Sequence, residues 1–146
     1  MPKSPKRLLA KTAVQLEPAI GPTKRAVLKG LRAFNTRAGG KRNASEFAIS
    51  LSEGETLVGR LVARVRRGVC GIQMLWVADA HRGKGHGAKI VALLEAEARA
   101  RGAHLVHVDT LSFQAPGFYE KQGYVEFGRL ALSPPGTFHI FLQKPL

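Results

Sequence analysis

Apolar positions along this chain recur with two different periods, and the switches between them mark out its elements. Val27, Leu31 and Phe34 fall at i, i+4 and i+7, one apolar stripe on a helix whose other faces are basic. Gly21-Pro22-Thr23 offers that helix a start with proline in its first turn, and Gly39-Gly40 ends it. A shorter apolar run ahead of it, Ala13-Val14-Gln15-Leu16, suggests a first strand. Beyond the helix the period falls to two. Phe47-Ala48-Ile49-Ser50-Leu51 alternates, Ser52-Glu53-Gly54-Glu55 turns, and Leu57 to Ala63 returns, the pattern of a hairpin. After a turn at Arg66-Arg67-Gly68, the segment Val69 to Val77 is apolar on both faces and is expected at the centre of its sheet, with Ile72, Met74 and Trp76 as core.

The period then lengthens again. Gly87 to Arg101 reads as a helix with Ile90, Leu94 and Ala98 on one face, Glu95, Glu97 and Arg99 among its exposed positions, and Gly102 as its stop. Leu105-Val106-His107-Val108-Asp109 is the next strand, and a short helix around Phe118-Tyr119-Glu120-Lys121 ends at Gly123. Two further strands, Tyr124 to Leu132 and Thr137 to Lys144, flank the turn Ser133-Pro134-Pro135-Gly136. The order strand, helix, hairpin, central strand, helix, strand, helix, hairpin predicts an α/β fold with a mixed sheet.

Composition narrows this picture. With 146 residues and 45% apolar content, the chain is the size of one domain with one core, placed here over residues 12–146. Residues 1–11, rich in Pro and Lys and without apolar periodicity, read as a flexible basic lead-in. The lone Cys70 excludes an internal disulfide framework and lacks the partners of a zinc site, so it reads as a small buried hydrophobe, and no metal is expected. No segment approaches the roughly 20 apolar residues of a membrane span, and Lys11 interrupts any secretory-length apolar run near the start. A cytoplasmic location without membrane contact is the expectation.

Charge is uneven. Residues 1–42 hold eleven Lys/Arg against the single acid Glu17, whereas the other 104 residues carry twelve against nine. Such an arm attracts nucleic acid, anionic lipid or a polyanionic cofactor. Phe34 is its only aromatic stacking platform. A nucleic-acid-associated binding protein, with the fold as scaffold or coenzyme sensor, is therefore the second reading.

The most informative segment is Arg82-Gly83-Lys84-Gly85-His86-Gly87, which joins the central strand to the long helix. Glycines at every second position let the backbone approach a ligand and turn successive N–H groups toward one place. The helix that follows adds its unpaired first-turn N–H groups and positive dipole end, and Arg82, Lys84 and Lys89 add full charges, a combination suited to a diphosphate. The spacing is G-x-G-x-G after a five-residue spacer, not the G-x-G-x-x-G of dinucleotide folds, and the Gly-Lys-Ser/Thr of nucleotide triphosphatases is absent.

Arg82-x-x-Gly85-x-Gly87 after a strand ending Leu75-Trp76-Val77 resembles the acetyl-CoA loop of the GNAT family of N-acetyltransferases. Downstream, Ala115-Pro116-Gly117-Phe118-Tyr119-Glu120-Lys121-Gln122-Gly123-Tyr124 is similar to that family's aromatic-Tyr-Glu-Lys segment, in the expected order and spacing. The resemblance implies a mostly antiparallel sheet flanked by helices, with its central strand pair splayed to admit acetyl-CoA. It implies Leu75, Trp76 and Val77 beside the pantetheine, and Arg82, Gly83, Lys84, Gly85, His86, Gly87 and Ala88 around the diphosphate. The implied reaction is direct attack of a primary amine, of a small molecule or a protein, on the thioester. Tyr119 occupies the position of the family's general acid. No Asp or Glu lies between Val69 and Val77 to serve as base, which leaves His107 and Asp109, at i and i+2 on the next strand, as the weaker candidates. Ser112 stands where the family often carries Asn. A homodimer is an assembly that this resemblance leaves open.

Overall fold

The computed structural model describes residues 12–41 and 43–146, so the lead-in expected over 1–11 lies outside the described residues. Two compact units are present, one up to Lys41 and one from Arg42 onward.

Among its described residues the first unit holds one helix, α1 (Ile20–Gly39), closed where the N–H of Gly40 reaches the Thr36 carbonyl. Val27, Leu31 and Phe34 form the predicted stripe and are about half exposed. The strand expected over residues 13–16 does not form, and Val14 and Leu16 are almost fully exposed. A strand exists only through a ladder with a neighbour, and this run of two large apolar residues, followed closely by Pro18, has none among the described residues.

In the second unit a six-stranded sheet is built from β1 (Ala44–Glu53), β2 (Thr56–Arg66), β3 (Val69–Val77), β4 (Leu105–Leu111), β5 (Val125–Ala131) and β6 (Phe138–Pro145). Its spatial order is β1-β2-β3-β4-β6-β5, antiparallel throughout except between β3 and β4. The parallel pair is bridged by α2 (His86–Ala100), and α3 (Pro116–Lys121) follows β4. Arg67 and Gly68 both have positive φ, the two-residue turn whose twist matches that of the strands it joins.

The core lies between α2 and one face of the sheet. Ile90, Val91, Leu94 and Ala98 bury against Leu61, Ala63, Val65, Cys70, Ile72, Val106, Val108 and Leu142. Each large side chain so buried stabilises the fold by about 1.5–3 kcal/mol. As expected, β3 is central, but Met74 and Trp76 are not core, being 64% and 48% exposed. A bulge explains this. Val62 pairs with Met74, yet the next residue, Ala63, pairs with Ile72, so Gln73 is an extra residue. The slip of one position places Leu75 with Ile72 on the core face and turns Met74 and Trp76 to the other.

Glu95 is likewise buried, not exposed. Both its oxygens accept from Lys144 Nζ at 2.9 Å, and the same ammonium donates to the Gln122 carbonyl at 2.8 Å, tying α2, β6 and the end of α3 together. Cys70 behaves as the sequence suggests. It is fully buried, and desolvation raises its thiol to about 11 despite the lowering effect of Arg101. Native protein should therefore resist alkylation by iodoacetamide at pH 8, reacting only as fast as it unfolds. Rapid labelling without unfolding would contradict this burial.

Candidate active site

The parallel pairing of β3 and β4 is short. Only Val69, Cys70 and Gly71 pair with Leu105, Val106 and His107, after which β3 continues along β2 and β4 along β6. The sheet thus opens between Ile72–Val77 on one side and Val108–Leu111 on the other. Backbone groups facing this gap are not consumed by a ladder, and an elongated polar ligand can take their place. Leu75, Trp76 and Val77 lie on the free stretch of β3.

The glycine loop closes the gap at the end of β3. Arg82 Nε donates to the Val77 carbonyl at 3.1 Å, and its Nη2 meets Asp79 at 2.9 Å, so this guanidinium fastens the strand to the loop. Gly83 and Gly85 have φ of 73° and 81°, conformations that side chains with a Cβ rarely adopt. Gly85 caps α2 without a side-chain hydrogen bond, which leaves the first-turn N–H groups free for an anion. Gly83, Lys84, Gly85 and Lys89 are exposed there and Ala88 is half-buried, whereas the His86 side chain turns inward and is buried.

Gly87 also has a packing task. A Cβ there would lie 2.9 Å from Phe118 Cε2 and 3.0 Å from its Cζ, so this glycine lets α3 pack against α2.

After β4, α3 begins at Pro116, following a turn in which Gln114 Oε1 accepts from the Leu111 N–H at 2.9 Å. Tyr119 is buried at 6% exposure, edge-on to Phe118 and Tyr124. Burial, and secondarily the Asp109 charge, push its hydroxyl up to about 12, so it remains protonated at any physiological pH. Tyr124 is also buried, and burial beside the Glu95 carboxylate raises its phenol further.

The two weaker candidates on β4 separate. His107 sits where β3 and β4 still pair, its Nε2 2.8 Å from where a Cβ on Gly71 would be. Asp109 sits two residues further on, beside the opening. Its Oδ2 lies 2.7 Å from His139 Nε2, and the His139 ring rests on Phe141 at 4.7 Å. Phe141 is the direct register partner of Asp109, and His139 the diagonal neighbour on the same face. His139 belongs to no motif; strand register is what brings it here. Ser112 is occupied with fold closure, its Oγ accepting from the Phe138 N–H at 3.0 Å.

A splayed parallel pair, a glycine loop at a helix start and a buried tyrosine on the helix after β4 together define a recognisable architecture, and comparison with known proteins decides its class. The sequence profile described as the acetyltransferase (GNAT) family matches residues 18–124. The chain belongs to the GNAT family. Among GNAT relatives, acetyltransferase Atu2258 of Agrobacterium fabrum is 31% identical over 121 residues, 82% of this chain and 88% of its own. Blasticidin-S acetyltransferase of Streptomyces morookaense is 40% identical over 94 residues, 60% of this chain and 66% of its own. A solved acetyltransferase from Bacillus cereus superposes with a TM-score of 0.81 at 26% identity, covering 91% of this chain and 98% of that one. The protein is an acetyltransferase of a family whose donor is acetyl-CoA. No described helix is long and apolar enough to cross a membrane.

Proposed function

We propose that the protein is an N-acetyltransferase that moves an acetyl group from acetyl-CoA to a primary amine of a small molecule, by direct attack within a ternary complex. The observation that carries this reading is the short β3–β4 pairing, which leaves a gap with free helix N–H groups at one end and Asp109 on its β4 side, with Tyr119 close enough to Asp109 to feel its charge. In this reading Leu75, Trp76 and Val77 flank the pantetheine, and the loop from Arg82 to Ala88 receives the diphosphate. A backbone N–H of the free stretch of β3 stabilises the oxyanion. Support for a small-molecule acceptor comes from the relative named as a blasticidin-S acetyltransferase.

The acceptor amine, with a reference pKa near 10, must lose a proton before or during attack. Asp109 and His139 form a carboxylate–imidazole pair on the strands beside the opening, so we assign His139 as the base, directly or through one water, with Asp109 holding its ring. Buried Tyr119 and the His139–Asp109 pair then serve the two ends of the same reaction: the leaving sulfur and the incoming nitrogen.

The test is calorimetric titration with acetyl-CoA at low and moderate salt, followed by measurement of CoA thiol release with a panel of amines. Saturable one-site binding and amine-dependent release are expected; no binding in either salt would overturn the assignment. His139→Gln should lower kcat/KM for the amine about 10–100-fold near pH 7 and leave coenzyme affinity unchanged. The loss should shrink as pH approaches the amine's own pKa, because a free amine needs no base. An equal loss at every pH would make His139 a structural residue.

A further inference from the structure

One cluster of titratable side chains is not used by the acetyl-transfer chemistry. Glu53 ends β1 at the hairpin turn, His81 ends the short turn after β3, and His86 opens α2. Glu53 Oε1 lies 3.0 Å from His86 Nε2, and Glu53 Oε2 lies 3.3 Å from His81 Nδ1. Neither contact has the angles of a hydrogen bond. His81 Nδ1 and both ring nitrogens of His86 are buried with no hydrogen-bond partner among the described residues. His86 is only 6% exposed. A buried polar atom left unsatisfied forfeits its hydration with nothing in return, so the two nitrogens that face Glu53, His81 Nδ1 and His86 Nε2, call for an occupant.

The donor atoms supply the chemistry of that occupant. One ligating atom from each of Glu53, His81 and His86 lies within 4.8 Å of the others. A tetrahedral zinc ion, bonded to nitrogen and oxygen at about 2.0–2.1 Å, holds its ligands roughly 3.3 Å apart; each imidazole stands at such a distance from one oxygen of the Glu53 carboxylate, His86 Nε2 at 3.0 Å from Oε1 and His81 Nδ1 at 3.3 Å from Oε2. Two imidazoles and one carboxylate suit zinc and its neighbours in the transition series and disfavour calcium and magnesium, which take oxygen ligands. A cation among three converging basic atoms also removes the repulsion between their lone pairs.

We propose that Glu53, His81 and His86 form a site for one divalent transition-metal ion of the zinc class, with a fourth position left to water. The bound ion clamps the β1–β2 turn to the start of α2 and so fixes the glycine loop from behind. This site does not depend on what the loop binds.

The experiment uses the full, tag-free chain stripped with a chelator and titrated calorimetrically with zinc chloride alone. One equivalent should bind, at least tenfold more weakly in Glu53→Gln and in His81→Gln. Both side chains are partly exposed, so these variants should keep the wild-type circular dichroism. Asp109→Asn, which breaks the other carboxylate–imidazole pair, should retain the equivalent. Zinc should also raise the Tm of wild type but not of Glu53→Gln. Cobalt(II) added to stripped wild type should give visible absorption bands of a nitrogen-ligated, low-coordinate ion. No bound equivalent, one that Glu53→Gln and His81→Gln leave unchanged, one lost in Asp109→Asn, or an absent cobalt spectrum would each overturn the site.

Discussion

Replacing Tyr119 by Phe is expected to lower kcat about 10²-fold while shifting acetyl-CoA affinity by no more than about twofold. The packing of this residue does not need its hydroxyl: the ring is held edge-on between Phe118 and Tyr124, at centroid distances of 5.0 and 5.7 Å, and Phe fills the same space. What the substitution removes is the hydroxyl alone, which in the proposed reaction faces the leaving sulfur. Sulfur leaves the thioester as a thiolate, whose reference pKa is about 8.5, whereas burial and the Asp109 charge raise Tyr119 to about 12. Complete proton transfer between such groups is uphill by roughly 3–4 pKa units, or about 5 kcal/mol. In the proposed reaction the hydroxyl would therefore contribute chiefly as a charge-assisted hydrogen bond to the developing thiolate. The pH dependence follows. A raised pKa keeps Tyr119 protonated as pH climbs past 10, where an ordinary tyrosine ionises, and its contribution is lost only near 12. Wild-type kcat should show no descending limb assignable to Tyr119 up to pH 10, and the ratio of wild type to Tyr119→Phe should stay constant over that range. An unchanged kcat would reduce Tyr119 to a packing residue.

Much of this architecture was legible because local chemistry and global fold agree. The alternation at Phe47–Leu51, the two-residue turn at Arg67-Gly68, the α2 stripe Ile90-Leu94-Ala98 and the loop from Arg82 to Gly87 each carry their own signal within a few residues. Features set by pairing across the chain were hidden. The bulge at Gln73 leaves no mark in composition, and a one-residue slip was enough to turn Met74 and Trp76 out of the core. Glu95 looks like an ordinary exposed helix acid until Lys144 arrives from the last strand. His139 meets Asp109 only because β6 lies antiparallel beside β4, and Glu53 meets His81 and His86 only because the hairpin turn comes to the helix start. The strand expected at residues 13–16 failed for the converse reason: its local signal was real but nothing among the described residues pairs with it.

Gly85 and Gly87, two residues apart in one motif, should fail in different ways when replaced by Val. Gly85 has φ of 81° with open space where a Cβ would stand, so the cost there is backbone strain alone. Relief of that strain reshapes the loop, and Gly85→Val should lose most of its acetyl-CoA affinity while its denaturation midpoint moves little. At Gly87 φ is ordinary and the obstacle is Phe118, 2.9 Å from the new Cβ. Separating α2 from α3 to relieve that overlap should cost about 1–3 kcal/mol of stability. It also displaces Phe118, the chain neighbour of Tyr119, so Gly87→Val should lower both stability and turnover. Adding Phe118→Ala makes room for the branched side chain, and the double variant should be more stable than the sum of the two single effects implies, with a coupling of about 0.5–3 kcal/mol in urea denaturation. Additive effects would mean that the glycine is not there for the ring. Loss of coenzyme binding in Gly87→Val with unchanged stability would return Gly87 to the ligand-approach role that the sequence motif suggests.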